Sequence, residues 1–229
     1  MRRRCAYVLS VVLVLVALQV AAAAPKKPLF LNRDETFQIP LRVSKHAAVL
    51  GRVMTENGLA TYTVKDVADY AKSLQKTEGS KWVYAFTGDI PKDKSGKYSP
   101  GLTGEDLFIR FRKGKSEIIS IQWTPIEGAT MKSLEIDLKA VIAKEASGRA
   151  KPGMGKIART KMGGFPALST KLMVDGATLN MWFIRAEALD RVYIVTLTRG
   201  GAVDPPEFQE VKEGIVFQKP LTEIGSRRI

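Results

Sequence analysis

The run "DRVYIVTLTRGG" (Asp190 to Gly201) alternates apolar residues on two faces: Tyr193, Val195 and Leu197 on one side, Val192 and Ile194 with Thr196 on the other. A strand that is apolar on both faces must be covered on both, so this one belongs in the middle of a sheet. The alternation continues upstream. "FPALSTKLMVDGATLNMWFIRAEALDRVYIVTLTRG" reads as three antiparallel strands, with Asp175-Gly176 as a tight hairpin turn. "DLFIRFRKGKSEIISIQW" reads as a further hairpin turning at "KGK". Leu107, Ile109 and Phe111 share a face there, and Ile119, Ile121 and Trp123 share a face.

Elsewhere the period lengthens. Val67, Tyr70, Ala71 and Leu74 recur at helical spacing, with Thr63 as a cap. Met131, Leu134, Leu138, Val141 and Ile142 make a second stripe that Gly148 should stop. "DPPEFQEVKEG" predicts a short helix capped by Asp204, with prolines in its first turn and Phe208 and Val211 on one side. "TFQIPL", "GLATYTV" and "KWVYAFTG" are strand-like, and Pro40 puts the first of them at a sheet edge. Residues 87–106 form a long loop of Gly, Pro, Lys and Ser, of the kind that binds or moves. No internal repeat is present. The expected fold class is α+β: a single domain with an antiparallel sheet and helices enough for both faces.

Several of these elements together resemble the PsbP-like family. That fold is shared by the extrinsic photosystem protein, bacterial DcrB-type envelope proteins and a Ran-binding protein. The residues that carry the resemblance are "FQIP" at Phe37 to Pro40, "GFPA" at Gly164 to Ala167, "RVYIVTLT" from Arg191, and the closing helix with Phe208 leading to "IVFQ". The likeness spans most of the chain and is best over Lys161 to Gln218. It implies an antiparallel β-sheet covered by helices on both faces, a PsbP-like α/β/α sandwich. These are packing motifs, so no catalytic or ligand residue is implied. The chain departs from the family in lacking the usual Trp-containing segment after "IPL", and in its long 87–106 loop.

The N-terminus adds a destination. Arg2, Arg3 and Arg4 precede an apolar run from Ala6 that ends in the small residues Ala21 to Ala24, the layout of a secretory signal. Cleavage is expected after Ala22 or Ala23; the rival is an uncleaved membrane anchor. The expected organisation is a signal peptide over 1–23, an irregular lead-in over 24–35, the domain over 36–219 and a basic tail over 220–229. The chain is thus expected to be exported, periplasmic or secreted, without a transmembrane span after cleavage. Cys5 is the single cysteine and leaves with the signal, so neither a disulfide framework nor a thiolate metal site is expected.

Candidate chemistry is sparse. "GMGKIA" (Gly153 to Ala158) has the spacing of a dinucleotide fingerprint, but it follows a helix and leads into strand-like sequence, the wrong order for phosphate to meet a helix N-terminus. It is not a P-loop either, since Ile157 stands where the Mg-binding Ser or Thr belongs. His46 is the sole histidine and no G-x-S-x-G accompanies it, which leaves a histidine-based triad or metal site without partners. Asp66 and Asp69 suit a helix start better than acid–base work. Asp89 and Asp93 lack calcium-loop spacing. No catalytic residue, cofactor or metal is assigned.

Charge is the uneven feature. The chain carries 36 Lys and Arg against 23 Asp and Glu, a net +13. Three of the arginines belong to the signal, which leaves about +10 on the exported part. Two clusters concentrate it: Arg149, Lys151, Lys156, Arg159 and Lys161 in a basic linker, and Arg110, Arg112, Lys113 and Lys115 at the hairpin tip. Cations after a helix C-terminus and at a hairpin tip also have a purely structural use. The functional expectation is a non-enzymatic binding or accessory protein of the cell envelope, docking an acidic protein or an anionic envelope polymer or lipid surface. Neutralising Arg149, Lys151 and Lys156 should then weaken binding without unfolding the domain. Nucleic acid is disfavoured, because no aromatic residues interleave the basic run. The alternatives are a hydrolase with carboxylates assembled by folding, and a carrier of a small hydrophobic ligand.

Overall fold

The computed structural model describes residues 29–32, 36–43, 53–55, 58–60, 64–87, 105–145 and 155–219. The signal, His46, Thr63, loop residues 88–104, Gly148, Arg149, Lys151 and the basic tail lie outside the described residues. The described elements are β1 (Phe30–Leu31), β2 (Phe37–Ile39), β3 (Val53–Thr55), β4 (Gly58–Ala60), α1 (Val64–Glu78), β5 (Val83–Thr87), β6 (Glu105–Arg112) and β7 (Lys115–Pro125). There follow α2 (Met131–Glu145), β8 (Ala158–Met162), β9 (Phe165–Val174), β10 (Ala177–Ala186), β11 (Arg191–Arg199), α3 (Pro206–Gly214) and β12 (Val216–Phe217). It is an α+β architecture built on antiparallel sheets.

Seven strands form the main sheet in the order β5-β6-β7-β11-β10-β9-β8. Two meanders, β5 to β7 and β8 to β11, meet where β11 pairs antiparallel with β7. Their two-residue turns follow from local chemistry. Lys113-Gly114 and Asp175-Gly176 all have positive φ, at 50° and 73° and at 48° and 79°. Paired left-handed residues make the type I′ geometry whose twist matches that of the flanking strands. β11 is the fourth of the seven strands, so the two-faced apolar run does sit at the sheet centre.

One face lies under α1 and α2. Val67 and Ala71 of α1 pack on Val83, Ala85, Leu107, Ile109 and Phe111. Leu134 and Leu138 of α2 pack on Leu168, Phe183 and Val192. Thr130 starts α2 with a reciprocal cap: Ser133 N–H donates to Thr130 Oγ1 at 3.1 Å, and Thr130 N–H donates to Ser133 Oγ at 2.8 Å.

The other face holds the larger core. Phe108, Ile119, Ile121, Ile184, Tyr193, Val195 and Leu197 of the main sheet meet Phe37 and Ile39 of β2, Phe208 and Val211 of α3, and Phe217 of β12. Tyr193 is fully buried; its ring stacks 4.2 Å from Phe217, and its hydroxyl donates to Thr36 O at 3.1 Å. Where a helical layer was expected, the cover here is a small sheet, β1-β2-β12, with the nine-residue α3 beside it.

Three expectations change. β2 is the middle strand of its sheet, paired to β1 and to β12, because Pro40 falls one residue past the ladder and costs it no donor. The basic linker is in part the edge strand β8, paired to β9. Asp204 does not cap α3: Pro205 occupies that position without a side-chain cap, while Asp204 pairs with Arg199. The first turn of α3 is short of donors to cap, because Pro206 carries no N–H.

Candidate functional site

The end of the sheet near the Lys113-Gly114 turn carries charge where the rest of the same face carries core. In the strand register Arg110 lies opposite Glu117, and Glu117 lies opposite Arg199. Each follows by strict alternation from a core residue, namely Phe108, Ile119 and Leu197, so all three turn inward toward α3. They are 6%, 7% and 8% exposed.

Arg110 is the hub. Its Nε donates to Glu117 Oε2 at 2.8 Å, Nη1 donates to Glu207 Oε1 at 2.5 Å, and Nη2 reaches both carboxylates. Its guanidinium lies 4.5 Å from the centre of the Trp82 ring. Arg112 Nε donates to the second oxygen of Glu117 at 3.0 Å. Arg199 donates to Asp204 and to Gly201 O. The network thereby fastens the start of α3 to the sheet.

Burial alone would raise the Glu207 carboxyl. The hydrogen bond and charge of Arg110, with a backbone hydrogen bond, outweigh it and hold Glu207 below the ordinary value. Burial likewise works to lower Arg110, and the hydrogen bonds it donates to Glu207 and Glu117 overcome it, raising Arg110 further. Glu117 and Glu207 are therefore carboxylates assembled by folding, but they are assembled on a cation. That arrangement favours the ionised form of Glu207.

Two depressions flank the fork. One, of about 420 Å³, has mixed charge and is lined by Pro40, Trp82, Arg110, Pro206, Glu207 and Glu210. The other, of about 380 Å³, is lined by Arg112, Lys113, Lys115, Arg199, Glu117 and Val203. It is predominantly cationic, and its acid is already engaged by Arg110 and Arg112.

The structure thus divides the hairpin-tip candidates. Arg112, Lys113 and Lys115 line the basic depression; the two lysines are exposed and the Arg112 side chain is 42% exposed. Arg110 is corrected from a surface cation to an internal one, because its strand parity aims it at α3 and two carboxylates balance it. In the second cluster Lys156, Arg159 and Lys161 are exposed, and Arg159 and Lys161 share one side of the edge strand β8. The Arg159 side chain is 80% exposed and 3.9 Å from Glu135, whose closer partner is Lys139 at 2.8 Å. That Lys139 hydrogen bond, with its charge, holds the Glu135 carboxyl below its ordinary value.

Among the described residues, the cations of the two clusters lie far apart. β8 and β6 are five strand spacings apart in the sheet order, roughly 24 Å at about 4.8 Å per strand. Gly155, in the "GMGKIA" stretch, has φ 76° and donates its N–H to Lys171 O at 2.9 Å on the way into β8. The stretch therefore opens onto a strand. Among the described residues no group of three His, Cys, Asp or Glu side chains could hold a metal ion, and no helix is long and apolar enough to cross a membrane. Asp69 lies 3.5 Å from Lys72 on the exposed side of α1.

Glu117, Glu207 and Asp204 are the functional-end residues that the sequence reading did not assign to a site. The available signal was parity: Phe108 shows that the even positions of β6 are also buried, which places Arg110 inside with a need for acids.

No family model matches the chain, and no curated protein sequence matches it. Among solved structures, the chain is similar to LpqN of Mycobacterium tuberculosis, described as involved in cell envelope biogenesis. The match covers 69% of this chain and 98% of that one, at 14% identity and a TM-score of 0.28. At that TM-score the two chains do not superpose closely enough to transfer a fold or a role.

Proposed function

We propose that this chain is an exported accessory protein of the cell envelope, of PsbP-like build and without catalytic activity. It docks an anionic partner through the tip of the β6–β7 hairpin. The observation that supports this most is the cationic depression. Four basic side chains line it, and the acid among its described lining residues, Glu117, is already paired within the fold. A surface of one sign focuses counter-charge and speeds encounter with an anionic partner. Export is supported by the arginine-led apolar run and its alanine cluster.

The exposed cations of the β8 edge are a second, separate contact in this reading. Comparing Lys113→Ala/Lys115→Ala with Arg159→Ala/Lys161→Ala tests the assignment. Binding to poly-glutamate, followed at low salt, is expected to fall more with the hairpin pair than with the β8 pair. Equal losses, or a larger loss from β8, would move the docking site to the sheet edge.

A further inference from the structure

The basic depression has an apolar rim. Val203 lines it and is 80% exposed, in the loop that leaves β11 at Gly200 and Gly201. Ala202 beside it is exposed as well. This loop does not wander from the hairpin: Gly200 N–H donates to Ser116 O at 3.1 Å, one residue from Lys115. The Arg199 contacts with Gly201 O and Asp204 hold its two ends. Two projections therefore stand side by side at one end of the sheet, one ending in Lys113 and Lys115, the other in Ala202 and Val203.

The kind of anion follows from which donors remain. Both arginines of the depression have donors committed internally, Arg112 to Glu117 and Arg199 to Asp204 and Gly201. A partner that presented ordered carboxylates would be recognised best by arginine forks. Lys113 and Lys115 are exposed: hydrated point charges on flexible stems, next to the exposed apolar side chain of Val203. That pairing suits an interface in which phosphate headgroups lie above hydrocarbon, since a soluble polyanion would gain nothing from Val203.

We infer that the hairpin tip and the Val203 loop together form a peripheral docking site for an anionic lipid surface, with Lys113 and Lys115 on headgroup phosphates and Val203 in the acyl boundary. The inference rests on the docking function proposed above and names its partner.

The test uses the exported chain without its signal, residues 24–229, and three probes: phosphatidylcholine vesicles, the same vesicles with added phosphatidylglycerol, and soluble poly-glutamate. Binding is expected to prefer the phosphatidylglycerol vesicles. Lys113→Ala/Lys115→Ala should weaken that binding by about 25-fold, at about fivefold per basic side chain. Val203→Ala should weaken vesicle binding by about tenfold through two lost methyl groups, and should leave poly-glutamate binding unchanged. A tryptophan at the same place, Val203→Trp, should strengthen vesicle binding and shift its emission to the blue.

Vesicle binding that ignores both Val203 changes would overturn the lipid assignment. So would poly-glutamate binding without vesicle binding, and the docking function would then stand with a soluble acidic partner. Binding to neither anionic probe would overturn the lipid assignment and the docking function together.

Discussion

Removing the guanidinium at the hub of the charge network, Arg110→Ala, should destabilise the fold far more than an ordinary surface change. The Arg110 side chain is 7% exposed, and its two acids, Glu117 and Glu207, are 9% and 26% exposed. Breaking a buried ion pair by removing one partner typically costs about 3–5 kcal/mol, because the other charge is left desolvated. Here Glu117 keeps Arg112 at 2.8 Å and Glu207 is partly open to water, so the lower end, about 3 kcal/mol, is expected. For a domain of this size that corresponds to a fall in Tm of about 6–12 °C. Thermal and urea unfolding followed by circular dichroism at neutral pH would measure it.

The acid limb supplies a second readout. The Glu207 carboxyl is lowered from its ordinary 4.5, so its stabilisation is complete above that value and is lost as pH falls through the lower folded value. Arg110→Ala should shrink that acid-dependent loss. An all-apolar replacement, Arg110→Met with Glu117→Leu and Glu207→Leu, should recover most of the stability, as buried ion pairs exchanged for well-packed hydrophobic groups often do. A cost below about 1 kcal/mol for Arg110→Ala, with an unchanged acid limb, would refute the network as described.

Other perturbations have separable signatures. In Gly163→Ala the new Cβ would lie 2.5 Å from Phe217 Cδ2 and 3.2 Å from Ile215 O, at φ 57°, so a loss of about 2–4 kcal/mol is expected in urea unfolding. The neighbour Gly164, at φ 85° with nothing within 4 Å, serves as the control, and Gly164→Ala should cost only the backbone strain of about 1–2 kcal/mol. Tyr193→Phe removes the buried hydroxyl that donates to Thr36 O and leaves the ring stack, which should cost about 1 kcal/mol. A larger loss would mean that this hydrogen bond does more than satisfy one carbonyl at the start of β2.

The strands legible in the sequence were those whose two faces differ from solvent in a regular way. β11 is apolar on both faces from Val192 to Val195, and β9 and β10 announce their hairpin at Asp175-Gly176. α2 was equally plain, because Leu134 and Leu138 repeat at helical spacing. β1 has only two residues and is held by its pairing to β2, which no local pattern encodes. β8 reads "ARTKM", with four of its five residues exposed, so hydrophobic alternation had nothing to report and its cations looked like a linker.

Pro40 has the local signature of an edge strand, yet the ladder ends one residue earlier, at Ile39. The site divides in the same way. The exposed cations were visible as charge, but the split between internal Arg110 and external Lys113 and Lys115 depends on which strand face meets α3. That contact brings together residues 97 positions apart, Arg110 and Glu207, and composition carries no trace of it. Asp204 illustrates the competition directly. Its local sequence favours a helix cap, and the nearby Arg199 takes it instead.

The most direct test of the central claim is the salt dependence of binding to soluble poly-glutamate, comparing the chain without its signal with its Lys113→Ala/Lys115→Ala variant. Binding is expected at low salt, fading steeply as salt rises and largely lost in the double variant, whose unfolding curve stays unchanged. Binding at low salt to neither poly-glutamate nor phosphatidylglycerol vesicles, or binding that the double variant leaves intact, would contradict it.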